Sequence, residues 1–228
     1  MADRIEPSRE EQILELGVFL LLFLPSVVLS FFVSGETATT SFPVIALSTI
    51  FRLLALVALI LFFLWRNGES DEKIGWTTHA WGTNALLGVA LFPPIFIGAA
   101  ILSSVLQSLG LSGPDPASQG FLIPGDATEM VLALLLVAIV AVGEETVFRG
   151  YLIVRLEALF RSPAVAVVLS SVIFALGHGY EGVAGVITVG MMGFALALVF
   201  LWTRSLVAPT IIHFLNNFVA ILLVPLLV

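Results

Sequence analysis

Apolar residues run along this chain in seven blocks, approximately Ile13–Val33, Pro43–Trp65, Ala85–Leu109, Ala127–Glu157, Ser162–His178, Val183–Thr203 and Leu206–Leu227. Short polar turns break them, among them Ser34-Gly35-Glu36 and Ser112-Gly113-Pro114-Asp115-Pro116. A bilayer hydrocarbon core is about 30 Å thick and takes about 20 apolar residues in helix to cross. The pattern therefore predicts an all-α, polytopic transmembrane bundle of seven helices. Trp76, His79 and Trp81 suggest an eighth, short helix over Gly75–Gly82, lying at the headgroup level that amphipathic rings favour. The flank Met1–Glu11 is long and acidic, so the first block reads as a retained span rather than a signal peptide.

Composition sharpens this reading. Of 228 residues, 59% are hydrophobic and 11% charged, with a mean hydropathy of +1.12. Soluble domains are about 45–50% apolar and about 25% charged, so a water-soluble globule is excluded. Nine basic against sixteen acidic residues give a net charge of −7, with no basic run to track phosphates, which excludes nucleic acid as a partner. With no cysteine, the chain has neither disulfides nor thiolate chemistry. Asp3, Glu6, Glu10, Glu11 and Glu15 crowd the N-terminus and Glu69, Asp71 and Glu72 share a loop, so these acids are expected to be solvated.

Basic residues fall on alternate loops. Arg4 and Arg9 precede the first block, Arg66 and Lys73 follow the second, Arg155 and Arg161 close the fourth, and Arg204 follows the sixth. The positive-inside rule then places the N-terminus in the cytoplasm and the C-terminus outside, in a cell membrane. The lipid bilayer is one expected partner; the sequence carries no signal of oligomeric state.

Intramembrane charge is expensive, so each charged or strongly polar residue within a span implies a partner or a role. Three clusters stand out: Glu144-Glu145-Thr146-Val147-Phe148-Arg149, then Phe174-Ala175-Leu176-Gly177-His178, then His213-Phe214-Leu215-Asn216-Asn217. At about 100° per residue, Glu145 and Arg149 are neighbours on one helix face and form an ion pair, whereas Glu144 points elsewhere. Phe174 and His178 share a face, as do His213 and Asn217. Packing the three helices together makes one polar pocket. A carboxylate with an imidazole can activate water, and an imidazole with an amide can donate to an oxyanion. Each cluster alone also has a structural reading, as an ion pair, a helix-capping histidine or interhelical glue. Their concentration favours a hydrolytic site. Arg52, deep in the second block, either pairs with a carboxylate from the C-terminal half or snorkels toward a polar cavity. Gly182, Gly185, Gly190 and Gly193 read as a close-packing surface.

Taken in order, Glu-Glu-x-x-x-Arg at 144–149, Phe-x-x-x-His at 174–178 and His-x-x-x-Asn at 213–217 resemble the CPBP family of intramembrane proteases, which comprises CAAX proteases and bacteriocin-processing enzymes. The resemblance covers residues 127–228, which would form a catalytic core of four spans; residues 1–126 would be a flank of three spans plus the interfacial segment. It implies that Glu144 with His178 activates the attacking water, that His213 and Asn217 stabilise the oxyanion, and that Glu145 and Arg149, with Phe174, order the site. The implied substrate is a membrane-associated peptide or protein, cleaved in CAAX-type C-terminal processing or in bacteriocin maturation and self-immunity. Family members are labelled metalloproteases, and Glu144, His178 and His213 would be the ligands were zinc bound. The absence of His-Glu-x-x-His spacing inclines the expectation toward a metal-independent glutamate mechanism. Competing readings are a transporter or proton path, which would need polar lining along its whole depth, and a catalytically inactive immunity partner. Counting helix rise from the cytoplasmic ends sets Glu144 and His178 much deeper than His213, so either the fourth span runs past the membrane surface or the helices tilt and stagger.

Overall fold

The computed structural model describes residues 7–32, 41–113 and 123–223. Arg4, the turn Ser34-Gly35-Glu36, the Pro114-Asp115-Pro116 part of the third loop and the predicted end of the last block at Leu227 lie outside them. The described residues are helical throughout: α1 Arg9–Ser30, α2 Phe42–Asn67, α3 Trp81–Ser108, α4 Ala127–Phe160, α5 Pro163–Leu176, α6 Gly182–Thr203 and α7 Val207–Leu223. These seven match the seven predicted blocks.

Local chemistry starts and stops them. Ser8 and Glu11 form a reciprocal capping box at the start of α1, with Glu11 N–H donating to Ser8 Oγ (3.3 Å) and Ser8 N–H to Glu11 Oε2 (2.8 Å). Asp126 caps α4 through Glu129 N–H (2.8 Å), and Ser162 caps α5 just before Pro163. Gly68, at φ 68°, ends α2 in the left-handed conformation that glycine adopts without strain.

Two departures from the prediction matter for the site. First, no eighth helix forms over 75–80; instead a single 3₁₀ turn, Asp71–Ile74, stops at Gly75 (φ 87°). Trp76, still 38% exposed, donates its indole N–H to Thr146 Oγ1 (3.0 Å) of α4. An indole N–H turned toward protein seeks such a partner, and a threonine within α4 supplies it. Second, five helices are long and apolar enough to cross a bilayer, while α5, with 14 residues, and α7 are shorter. At about 1.5 Å per residue α5 spans roughly 21 Å. The turn after it is tied to protein: Ser30 Oγ, 3.1 Å from Leu176 O, accepts from Gly179 N–H at 3.2 Å. Non-helical backbone at membrane depth is stable only when satisfied in this way. The long apolar helices make the chain an integral membrane protein.

The depth question resolves in favour of a long fourth helix. α4 runs 34 residues, about 50 Å, well beyond the thickness of the bilayer core. Gly150 packs on the Ile74 carbonyl and near Leu206, and Leu206 N–H donates to Gly75 O (3.0 Å). The α6–α7 turn thus lies level with Gly150 rather than with the end of α4. From that level Glu145 and His213 climb similar distances and meet.

Beyond Gly150, α4 enters a buried ionic cluster. Arg155, expected at the cytoplasmic end of the fourth block, is 2% exposed and donates to Glu69 and Glu15, with Arg155 Nη2 3.3 Å from Glu15 Oε2. Arg66 Nη2 reaches Glu15 Oε1 (2.7 Å) and Lys73 reaches Glu69 Oε1 (2.7 Å). Glu15 and Glu69, expected in solvent, are buried because three helices and a loop converge on Arg155. The cluster also gathers Arg66 and Lys73 at one end of the bundle. Its apolar continuation is the main core, where Phe19, Ile60, Leu64, Ile74, Tyr151 and Phe200 are fully buried.

Candidate active site

Glu144 and Glu145 close the α-helical part of α4, and the next seven residues, Thr146–Leu152, form π-helical turns with every side chain buried. Residues Phe218–Leu223, after Asn217, do the same. Such turns insert a residue into the helical register, commonly at functional sites, and shift the faces on either side. Here they separate the two glutamates from the core residues that follow them.

Glu145 is fully buried and its Oε1 is shared. Arg149 Nη1 donates to it at 2.7 Å and His213 Nδ1 at 2.7 Å, while Arg149 Nη2 donates to Gly193 O at 3.1 Å. Since a carboxylate only accepts, His213 carries its proton on Nδ1, and Nε2 is turned toward Glu144 Oε2 at 3.7 Å. Among the described residues Glu144 Oε2 has no hydrogen-bond donor. His178 closes α5 with Nδ1 3.0 Å from Phe174 O; a carbonyl accepts, so His178 keeps its lone pair on Nε2.

Phe174 holds these groups together. Arg149 lies over its ring at 4.4 Å, the ring centroids of His178 and His213 are 4.8 and 6.0 Å away, and Phe148 meets it edge-on at 4.9 Å. A guanidinium over an aromatic face, already paired with a carboxylate, is a stable way to carry a buried charge. Gly193 permits this packing, because a Cβ there would sit 2.8 Å from Phe174 Cδ1 and 3.3 Å from Arg149 Nη2. Gly190 similarly faces Ala175, whereas Gly182 (φ 72°) lies against Ser112 and Gly113 and Gly185 against Glu181, so only part of the glycine series packs helix on helix.

A cavity of about 680 Å³ opens over the cluster, lined by Glu144, His178, His213 and Asn217 together with Arg52, Tyr180, Glu181 and Asn216, and by apolar side chains including Phe23, Phe96, Leu136 and Met192. The structure thus brings the predicted Glu144, His178, His213 and Asn217 to one cavity, with Glu145, Arg149 and Phe174 behind them. Arg52 faces the same cavity, but among the described residues no carboxylate lies within 4.0 Å of it, so the predicted ion pair is not there. Among the described residues, Glu144, His178 and His213 also do not converge as a group that could hold a metal ion.

Several contributors escaped the sequence reading. Asn216 donates Nδ2–H to Asn217 Oδ1 (3.3 Å) and lines the cavity with it. Tyr180 and Glu181, two and three residues after His178, extend the polar lining; a carboxylate in so short a turn was the available signal. Gly143 lets α2 approach the double glutamate, since a Cβ there would lie 3.3 Å from Leu53 Cβ. Phe31 covers Gly179, and its position could not be read from α1 alone.

Residues 126–219 match the family described as Rce1-like, type II CAAX prenyl endopeptidase Rce1-like. No curated protein and no solved structure matches the chain. The matched segment runs from the cap of α4 into the last turns of α7 and contains all three motifs. This C-terminal helical segment is similar to the Rce1-like family of CAAX prenyl endopeptidases.

Proposed function

We propose that this intramembrane endopeptidase cleaves a peptide bond of a membrane-associated protein or peptide with a water molecule activated by Glu144. The observation that carries the proposal is the contrast between the two adjacent carboxylates. Glu145 is held through Oε1 by Arg149 and His213 and does not line the cavity, while Glu144 faces the cavity with Oε2 undonated among the described residues. A carboxylate oxygen that faces a cavity with no hydrogen bond already donated to it is free to accept a proton from water.

In this reading Glu144 accepts a proton from water, assisted by the Nε2 lone pair of His178. The hydroxide attacks the scissile carbonyl carbon, the carbonyl electron pair moves to oxygen, and the oxyanion accepts from the Asn217 amide and from His213 Nε2–H, the ring then carrying a second proton besides the one on Nδ1. The proton taken by Glu144 then passes to the leaving nitrogen as the carbon–nitrogen bond breaks. Glu145 fixes the His213 ring through Nδ1, and Arg149 and Phe174 hold Glu145 and both rings in place, so the stabilising groups are set before substrate arrives. In this reading these steps run through side chains alone. The basic end of the bundle, with Arg66, Lys73, Arg161 and Arg204, would face the cytoplasm.

Substrate processing of the CAAX type fits the family; bacteriocin maturation and self-immunity is the second maturation role open to the chain. Incubating the protein in vesicles with membrane-tethered peptides that do or do not carry a prenylated C-terminal segment, and sequencing the products, tests both. The CAAX reading expects release of a C-terminal fragment from the prenylated peptide only.

A further inference from the structure

Arg52 lies inside α2, ten residues from its Phe42 start, or about 15 Å along the helix. A charged side chain at that depth needs compensation. The two buried arginines of α4 have it: Arg149 is on Glu145, and Arg155 is on Glu15 and Glu69. Arg52 has no carboxylate within 4.0 Å among the described residues, and its side chain lines the cavity. It is the one Lys or Arg among the described lining residues.

Its level is that of the chemistry. α2 and α4 run side by side in the same direction, since Phe42, Ala46 and Ile50 cluster with Ala133 and Leu136 and Leu53 then packs on Gly143. Arg52 and Glu144, next in sequence to that contact pair, therefore stand at the same height in the cavity. Tyr180 lies within electrostatic reach of Glu181, Glu144 and Arg52. Two carboxylates in the wall would repel an anionic ligand, and a guanidinium opposite them reverses that preference locally. Its planar fork suits bidentate binding of a carboxylate.

Resting on the protease reading above, we infer that Arg52 is a specificity residue that binds a carboxylate of the peptide substrate within the cavity. The carboxylate comes either from the substrate's own C-terminus or from an Asp or Glu side chain near the cleaved bond. In the first case the distance from Arg52 to the reacting water sets how many residues are released.

Three tethered fluorogenic peptides of one sequence test this with the full chain in vesicles: a C-terminal free acid, its C-terminal amide, and the amide with one Asp added near the end. The wild type should prefer a carboxylate-bearing peptide over the plain amide by about ten-fold or more in kcat/KM, expressed in KM. In Arg52→Gln that ratio should fall toward one, with Arg52→Lys intermediate. Preference for the free acid identifies the C-terminus; preference for the Asp peptide identifies the side chain. No preference in the wild type, or an unchanged ratio in Arg52→Gln, overturns the inference. Should Arg52→Gln not fold, an unchanged ratio in Arg52→Lys together with equal wild-type binding of acid and amide does the same. Anisotropy of the same peptides on Glu144→Gln protein reads recognition without turnover. Carboxylate-dependent binding there, with no cleavage by the wild type, would refute the protease reading and leave Arg52 as the carboxylate site.

Discussion

His213 Nδ1 and Arg149 Nη1 meet on one oxygen, Oε1 of Glu145, each at 2.7 Å. One buried carboxylate therefore ties α7 to α4, and through Arg149 Nη2 on the Gly193 carbonyl it ties both to α6. In the proposed mechanism the two adjacent glutamates divide the work accordingly: Glu145 organises, and Glu144 reacts.

Removing Glu145 should unfold the site. Glu145→Ala strands a buried guanidinium and an imidazole, and breaking a buried pair of this kind costs about 3–5 kcal/mol. Thermal unfolding in detergent should show a large drop in Tm for Glu145→Ala. Glu144→Gln, whose carboxylate makes no such pair, should melt close to the wild type. Equal stability of Glu145→Ala and the wild type would show that Arg149 is balanced by something else.

Gly193→Ala tests the packing behind the site. The added methyl meets Phe174 Cδ1 at 2.8 Å and Arg149 at 3.3 Å, so the ring must shift away from both imidazoles. A loss of about 1–3 kcal/mol is expected from overpacking, with kcat falling more than KM rises. Unchanged kcat would mean that Phe174 is not a positioning residue.

Acid should loosen the other end of the bundle. Burial pushes the Glu69 carboxyl up, but hydrogen bonds from Arg155 and Lys73 outweigh it and hold it at about 2, against an ordinary 4.5. The folded value is depressed, so Glu69 contributes its full stability above pH 4.5 and loses it as pH falls toward 2. Tm should decline across that window, and the decline should be shallower in Glu69→Gln. A wild-type slope in that variant would assign the acid limb to another group.

Turnover should survive exhaustive chelation, and purified protein should carry well under one zinc per chain by elemental analysis. Stoichiometric zinc that is lost in His178→Ala or His213→Ala would replace the side-chain mechanism with a metal-assisted one.

The helices were legible because seven apolar blocks and their caps are local properties. So was the shared face of Glu145 and Arg149, four residues apart. What stayed hidden depends on partners far along the chain. Arg155 resembles a solvated arginine at a helix end until α1 brings Glu15 to it, and the Trp76 indole shows no partner in sequence until Thr146 accepts its N–H. The His178 turn is held by Ser30 and Phe31, nearly 150 positions earlier, which no spacing rule connects. The π-helical turns leave no signature in hydropathy. They change the register by one residue, and no run of polar or apolar positions marks the place.

The most direct test compares cleavage of a membrane-tethered peptide by the wild type and by Glu144→Gln, with Tm recorded on the same preparations. The account predicts that Glu144→Gln keeps the fold and loses turnover to background. Retention of full activity in a folded Glu144→Gln protein would contradict it.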